Sequence, residues 1–175
     1  MWLPVVWLAI MAAAVAETSG KPADAVVLAD GGHAADRAIR ALDMLDRPYR
    51  RGGTSPESGF DCSGLVLHVF RSTAASSLPR TAHDLFRLDL SGRAEKVERA
   101  AIAAGDLLFF RIGRLGQRID HVGIALGDGR FVHAPASGGV VRIDSLDMPY
   151  WSRHFAGARR LPAIERGAIN VAEEY

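Results

Sequence analysis

The chain has 175 residues, a net charge of +1 from 21 basic and 20 acidic side chains, and a single cysteine, Cys62. Its length suits one domain, and its 49% hydrophobic residues can fill a core, which excludes intrinsic disorder as the main state. The balanced charge provides no basic field for nucleic acid or an anionic membrane, and one cysteine allows neither an internal disulfide nor a two-thiolate zinc site.

The N-terminal segment predicts export. Residues 1–16 carry no charged side chain and are too short to span a bilayer, which takes about 20 residues. They end in Ala14-Val15-Ala16, a pattern typical of cleavage sites, so we predict a secretory signal peptide cut after Ala16. The protein is then expected in the periplasm or outside the cell, without stable membrane insertion. Because no Lys or Arg precedes the apolar run, a buried hydrophobic arm or a misassigned start codon is the alternative.

The hydrophobic spacing predicts one α+β domain over residues 34–162, after a loose leader over residues 17–33 and before a tail over residues 163–175. The predicted helices cover about 34–46, 62–70 and 82–86, the last capped by Thr81. The predicted strands cover 107–110, 122–126, 130–133, 140–143 and 155–161. Helices therefore come first in the chain, and an antiparallel sheet follows them.

Cys62 lies where a glycine-rich loop meets the start of the second predicted helix. A thiol at a helix N-terminus feels the positive end of the helix dipole, which favours the thiolate. Its neighbours Asp61, Ser63 and Gly64 are polar or small, which leaves access to the sulfur open. We therefore predict a cysteine nucleophile. The alternative is a small buried cysteine of the core.

Two of the six histidines are placed to serve a nucleophile as base and orienting group. His121 and His133 lie on neighbouring strands of a predicted hairpin. A three-residue turn at Gly127-Asp128-Gly129 pairs Gly123 with His133 and puts both histidines on one face, whereas a two-residue turn separates them. The first register predicts a Cys-His-His triad. The other histidines are interpreted as surface or core residues: His33, His68, His83 and His154.

Several short motifs also resemble a known family. They are YRRGG (49–53), GFDCSGLV (59–66), LPRT (78–81), GDLLFF (105–110), DHVGI (120–124), FVHAP (131–135), YW (150–151) and ARR (158–160). In this order they resemble the NlpC-type cell-wall peptidases, papain-like cysteine peptidases, from about Ala35 to Leu161. The resemblance implies a papain-like α+β fold in which the nucleophile opens a helix packed on an antiparallel sheet. It implies Cys62 as nucleophile, His121 as base and His133 as third polar residue.

The resemblance further implies roles for three residues around the nucleophile. Tyr49 matches a tyrosine whose hydroxyl helps to hold the oxyanion. Asp61 and Ser63 match positions that face the substrate and take the free amine of a stem peptide. Capping of the helix is the alternative role for both.

The function implied by the resemblance is that of an exported cysteine endopeptidase of peptidoglycan stem peptides. The expected bond joins the γ-carboxyl of D-glutamate to a diamino acid. Stem peptides are the expected partner, nucleic acid is not, and neither a cofactor nor a metal is expected. Two alternatives stay open: an amidase or acyl transferase that keeps the same three residues, and a catalytically silent wall-binding module.

Overall fold

The computed structural model describes residues 23–71, 78–113, 116–137 and 139–162. The predicted signal peptide, the first residues of the leader and the predicted tail lie outside the described residues. Within them are two short 3₁₀ helices, Arg87–Ser91 and Arg99–Ala101, and four α-helices: α1 (Ala23–Leu42), α2 (Cys62–Val69), α3 (Ala82–Phe86) and α4 (Pro149–His154). None of these helices has the length and the apolar character that crossing a membrane requires.

Six strands form one antiparallel sheet in the order β3-β8-β4-β5-β6-β7. These strands are β3 (Glu95–Val97), β4 (Leu107–Phe110), β5 (His121–Gly127), β6 (Arg130–His133), β7 (Arg142–Ser145) and β8 (Phe155–Arg160). A separate two-residue hairpin, β1 (Thr54–Ser55) with β2 (Gly59–Phe60), precedes α2. The α+β class is as predicted, and β4 has the predicted bounds.

Both faces of the sheet are buried, because successive residues of a strand point to opposite sides. On one face, Leu107 and Phe109 of β4 join the core beneath α2. On the other face, Leu108 and Phe110 join a second cluster that contains Trp151 of α4. The sheet therefore lies between α2 and α4, and β4 is buried along its whole length.

Two predicted elements have different bounds. The leader was expected to be loose up to residue 33, but α1 begins at Ala23, because alanine-rich sequence favours helix strongly enough to include Gly31 and Gly32. The helix ends at Leu42 rather than about 46, and the left-handed φ of 62° at Asp46 completes the turn that follows.

The strand predicted over 140–143 begins two residues later and extends to Ser145. Val140 and Val141 are used elsewhere: Val140 bridges Pro48, and Val141 exchanges backbone hydrogen bonds with Asp46 and Arg47. This segment thereby fixes the loop that leads to Tyr49.

Candidate active site

Cys62 is the first residue of α2, as predicted, and the turn before it is held by Asp61. The Asp61 carboxylate accepts hydrogen bonds from the backbone N–H of Gly64 at 2.8 Å and of Gly52 at 2.8 Å. Gly64 lies against the carbonyl of Gly53, where a Cβ atom would collide with that oxygen. A glycine is therefore required in the first turn of α2 for the glycine-rich loop to pack beside the sulfur.

Cys62 is partly exposed and lines a cleft of about 330 Å³. Loss of water around the thiol raises its pKa, the charge of Asp61 raises it further, and backbone N–H groups of Val122 and Ser63 oppose the rise. The amides at the start of α2 favour the thiolate, as expected, but burial and the charge of Asp61 outweigh them. To act as the predicted nucleophile, Cys62 would need a base to remove its proton.

The hairpin of β5 and β6 brings the two predicted histidines together, by a different turn from the one expected. Asp128 and Gly129 form a two-residue turn with left-handed φ values of 50° and 70°, and the extra residue forms a bulge at Leu126. The predicted pairing of Leu126 with Arg130 is therefore wrong. Beyond the bulge Ile124 pairs with Val132, so Gly123 lies opposite His133, as predicted. Both histidines share one face.

A chain of hydrogen bonds leads from His121 across the sheet. His121 Nε2 lies 2.9 Å from His133 Nδ1, and His133 Nε2 lies 2.9 Å from Asp144 Oδ2. A carboxylate can only accept, so His133 donates from Nε2 and accepts at Nδ1, and His121 must donate from Nε2. The Nδ1 atom of neutral His121 then carries a lone pair, which is what a base requires.

Asp144 was not predicted as a site residue, yet it is the end point of this chain. Trp151 donates to its Oδ2 from Nε1 at 2.9 Å, and Arg142 donates from Nε at 3.3 Å and Nη2 at 3.2 Å. Trp151 also stacks on the His121 ring, with centroids 5.6 Å apart at 25°. These contacts hold the carboxylate and the base in fixed positions.

Both histidines are buried, at 6% and 0% exposure for His121 and His133. Burial lowers the pKa of His121 to about 3, with smaller contributions from His133 and Arg142. Burial also lowers the pKa of His133 to about 4, although Asp144 opposes the change. Both rings are therefore neutral near pH 7, in agreement with the hydrogen-bond directions above.

Val122, the residue that follows His121 in β5, connects the surroundings of His121 with those of Cys62. The backbone amide of Val122 is close enough to Cys62 to oppose the rise in the pKa of the thiol, and α2 packs against β5. The start of β5 therefore lies against the first turn of α2. The described geometry brings the predicted nucleophile, base and third residue to one end of the sheet.

The three further predicted residues line the cleft of Cys62: Tyr49, Asp61 and Ser63. Burial raises the pKa of Tyr49, and the neighbouring Cys62 and Asp61 raise it further, so its hydroxyl keeps its proton and can donate. The backbone of Tyr49 is bridged to Phe60, which keeps it beside the nucleophile.

Asp61 does cap α2, as the alternative interpretation expected, and it is also paired with Arg80. Arg80 donates to Asp61 from Nη1 at 3.0 Å and from Nη2 at 2.7 Å, and its Nη1 donates to Ser63 Oγ at 2.8 Å. Burial alone would raise the pKa of Asp61, but Arg80 and the amides of Gly64 and Gly52 lower it overall. Sequence reasoning gave Arg80 no role, although it lies in the LPRT motif.

An α+β fold with a cysteine at the start of a helix and a histidine on the adjacent strand is that of papain-like proteins. Within that class, the family model described as the NlpC/P60 family matches residues 46–160, and the chain belongs to this family. Residues Tyr49 through Trp151 of the described site all fall inside the matched range. The resemblance stated from the motifs is therefore confirmed.

Relatives and solved structures agree with this membership. Murein DD-endopeptidase MepH of Escherichia coli (strain K12) is 41% identical over 122 residues, 70% of this chain and 44% of that protein. Gamma-DL-glutamyl hydrolase of Bacillus subtilis (strain 168) is 39% identical over 140 residues, 77% of this chain and 32% of that protein. A lipoprotein-like NLP/P60 family structure from Staphylococcus aureus superposes with a TM-score of 0.61 at 34% identity, covering 74% and 41% of the two chains. The chain thus spans less than half the length of these two curated relatives.

Proposed function

We propose that this protein is a cysteine endopeptidase that hydrolyses peptide bonds in peptidoglycan stem peptides. The observation that carries the proposal is the ordered hydrogen-bond chain from Asp144 through His133 to His121, which leaves a lone pair on His121 Nδ1, on the strand that packs against the helix of Cys62. Family membership supports the same chemistry, as do relatives named as a murein endopeptidase and a glutamyl hydrolase.

In the proposed reaction, His121 Nδ1 takes the Cys62 proton as the sulfur attacks the carbonyl carbon of the scissile bond. The carbonyl oxygen becomes an oxyanion that the first amides of α2 and the hydroxyl of Tyr49 stabilise. His133 and Asp144 stabilise the imidazolium, which then gives its proton to the leaving nitrogen. The C–N bond breaks and a thioester remains on Cys62. A water molecule, deprotonated by His121, hydrolyses the thioester and regenerates the thiol.

The scissile bond is proposed to join the γ-carboxyl of D-glutamate to a diamino acid. The B. subtilis relative is named for a glutamyl bond, which supports this choice. Asp61 and Ser63 lie in the cleft of Cys62 and are proposed to receive the free amine of the stem peptide. Because Arg80 already contacts both residues, the amine must compete with a guanidinium for them. The E. coli relative is named a DD-endopeptidase, which makes a DD bond the second candidate.

Export is part of the proposal, because the wall lies outside the membrane. It depends on the signal predicted for residues 1–16, outside the described residues. N-terminal sequencing of protein recovered from the cell envelope should give Glu17 as the first residue. Intact Met1 on protein confined to the cytoplasm would contradict both the signal and the wall substrate.

Digestion of purified wall fragments, with new termini identified by mass spectrometry, tests the activity and the bond. The wild type should release fragments with a new amine on the diamino acid, and Cys62→Ala should release none while keeping its circular dichroism spectrum. Cleavage by Cys62→Ala would rule out the cysteine mechanism. New termini at the sugar-linked end of the stem would favour the amidase alternative, and wall binding without cleavage by the wild type would favour the silent module.

A further inference from the structure

A second, larger cleft of about 720 Å³ adjoins the site on the side of His121. The two clefts share Asp120, but the larger one is formed by β7, α4 and the loop after β6. The proposed reaction steps place no part of the substrate in this larger cleft. Its walls include Ile112, Pro135, Arg142, Met148, Tyr150 and Trp151.

The direction of the proposed reaction assigns each cleft to one half of the substrate. The acyl half becomes bonded to the sulfur of Cys62 and so lies in the smaller cleft. The leaving nitrogen must receive a proton from His121, which lines the larger cleft but not the smaller. The amine half of the substrate, which begins at that nitrogen, therefore extends into the larger cleft.

Three charged groups line the larger cleft, and two of them are carboxylates that already accept hydrogen bonds. Asp120 accepts hydrogen bonds from the backbone N–H of Ile112 and Gly113, and Asp144 accepts from His133 and its other partners. Arg142 remains as the guanidinium among the described residues that line the cleft. It binds Asp144 through Nε and Nη2, and 42% of its side chain is exposed.

Arg142 is also close to the reacting groups. It lies directly opposite His133 in the pairing of β6 and β7, and its charge lowers the pKa of both His121 and His133. An anion held by Arg142 is therefore near the leaving nitrogen. Beside it, Met148 and Tyr150 are each 47% exposed and offer apolar surface for an aliphatic chain.

We propose that the larger cleft is the subsite for the leaving residue of the substrate, and that Arg142 binds a free carboxylate on that residue. A diamino acid with a second carboxylate, such as diaminopimelate, has the required parts: an aliphatic chain for Met148 and Tyr150 and a carboxylate for Arg142. The inference deepens the proposed function and rests on it. It makes Arg142 a determinant of which stem peptides are cut.

Two peptides that differ only in charge test the subsite. They are L-alanyl-γ-D-glutamyl-diaminopimelate with its diaminopimelate carboxylates free, and the same peptide with them amidated. The wild type should prefer the free form, mainly through a lower KM. Arg142→Gln should reduce kcat/KM for the free form by roughly tenfold to a hundredfold more than for the amidated form, the range for losing charge-assisted hydrogen bonds, because any loss that acts through Asp144 is common to both peptides.

Matched variants separate charge recognition from other effects. Arg153→Gln removes the same charge from an exposed position of α4 that does not line the cleft, and it should keep the wild-type preference. Arg142→Lys keeps the charge without the planar fork and should be intermediate. Tyr150→Ala should weaken both peptides alike. An equal loss for both peptides in Arg142→Gln would overturn the proposal, because Arg142 would then act only through Asp144.

A binding measurement keeps this inference distinct from the proposed activity. Calorimetry with Cys62→Ala should give tighter binding of the free form than of the amidated form, and Cys62→Ala/Arg142→Gln should abolish the difference. If the wild type cleaves neither peptide but this binding difference is found, the proposed bond is wrong and the carboxylate subsite stands. If the two forms bind equally, the subsite is wrong whatever the enzyme cleaves.

Discussion

The two halves of the proposed site are built in different ways. The cysteine half comes mainly from one short stretch, residues 49–64, whose loop and helix are tied together by backbone amides on Asp61. The histidine half is assembled from β5, β6, β7 and α4, which meet only in the folded sheet. The first half therefore depends on local loop geometry and the second on strand register. Substitutions in the two halves should fail in different ways.

Removal of the base should have the largest effect. His121→Ala should lose nearly all hydrolysis, because general-base help is worth roughly 10²–10⁴ in rate. His133→Ala should lose less, and His133→Asn or His133→Gln least, because an amide can still hydrogen-bond the base. Steady-state kinetics on wall fragments give the order. Equal loss in His133→Asn and His133→Ala would contradict an orienting role.

Substitution of Asp144 tests whether the orientation of the proposed base, His121, depends on a residue of β7. Asp144→Ala removes the acceptor that fixes the direction of both histidine hydrogen bonds, and we expect kcat to fall about tenfold to a hundredfold with little change in KM. Asp144→Asn should retain more activity, since its amide oxygen can still accept from His133.

A matched control for Asp144 is Asp147→Asn, which removes the same charge from a side chain that is 82% exposed and outside the cleft. Nitrogen NMR of the imidazoles reports the tautomer directly. His121 protonated on Nδ1 in Asp144→Ala, but on Nε2 in the wild type, would support the role. An unchanged tautomer and unchanged kcat in Asp144→Ala would rule it out.

The buried histidines predict a specific pH dependence. His121 titrates at about 3 when folded but near 6.5 when unfolded, so the unfolded chain binds protons first as the pH falls. Stability from this residue is complete above pH 6.5 and is lost as the pH falls from 6.5 toward about 3. The acid limb of kcat/KM should accordingly lie below 6.5, because His121 stays neutral there. A limb at 6.5 or higher, with circular dichroism unchanged, would contradict the lowered pKa.

The smallest effect is expected in the cysteine half. Asp61→Asn keeps an acceptor for the amide of Gly64 but loses the ion pair with Arg80, whose side chain is 41% exposed. A pair so open to solvent contributes about 1 kcal/mol or less. Asp61→Ala also loses the helix cap, which adds about 1 kcal/mol. Thermal unfolding should rank Asp61→Ala below Asp61→Asn, and equal melting temperatures would show that the cap contributes nothing.

The contrast between the local cysteine half and the assembled histidine half also explains which features could be predicted from the sequence. Cys62 follows from a local pattern, and Tyr49, Asp61 and Ser63 follow from the family resemblance; all four line one cleft. The start of α2 and the strand over 107–110 also follow, because a capping residue or a continuous apolar run marks each of them.

Features that depend on tertiary structure were harder to predict. Asp144 was missed because the strand predicted over 140–143 ends before it, and because its importance arises from His133 and Trp151, which lie on other elements. The raised pKa of Cys62 was missed because burial of a thiol depends on what covers the helix end. The helix α4 was also not predicted, because it begins at Pro149 without a side chain that caps it.

The bulge at Leu126 absorbs the extra residue of the hairpin and so makes the site depend on strand register. Deleting Leu126 should leave Ala125 opposite Phe131 and Gly127 opposite Arg130, as they are now, with both histidines still facing each other. Closing the bulge by a slip of one residue instead would bring Ile124 opposite His133 and turn that ring to the other side of the sheet. A slip of register alone would therefore separate the two histidines with every proposed catalytic residue intact.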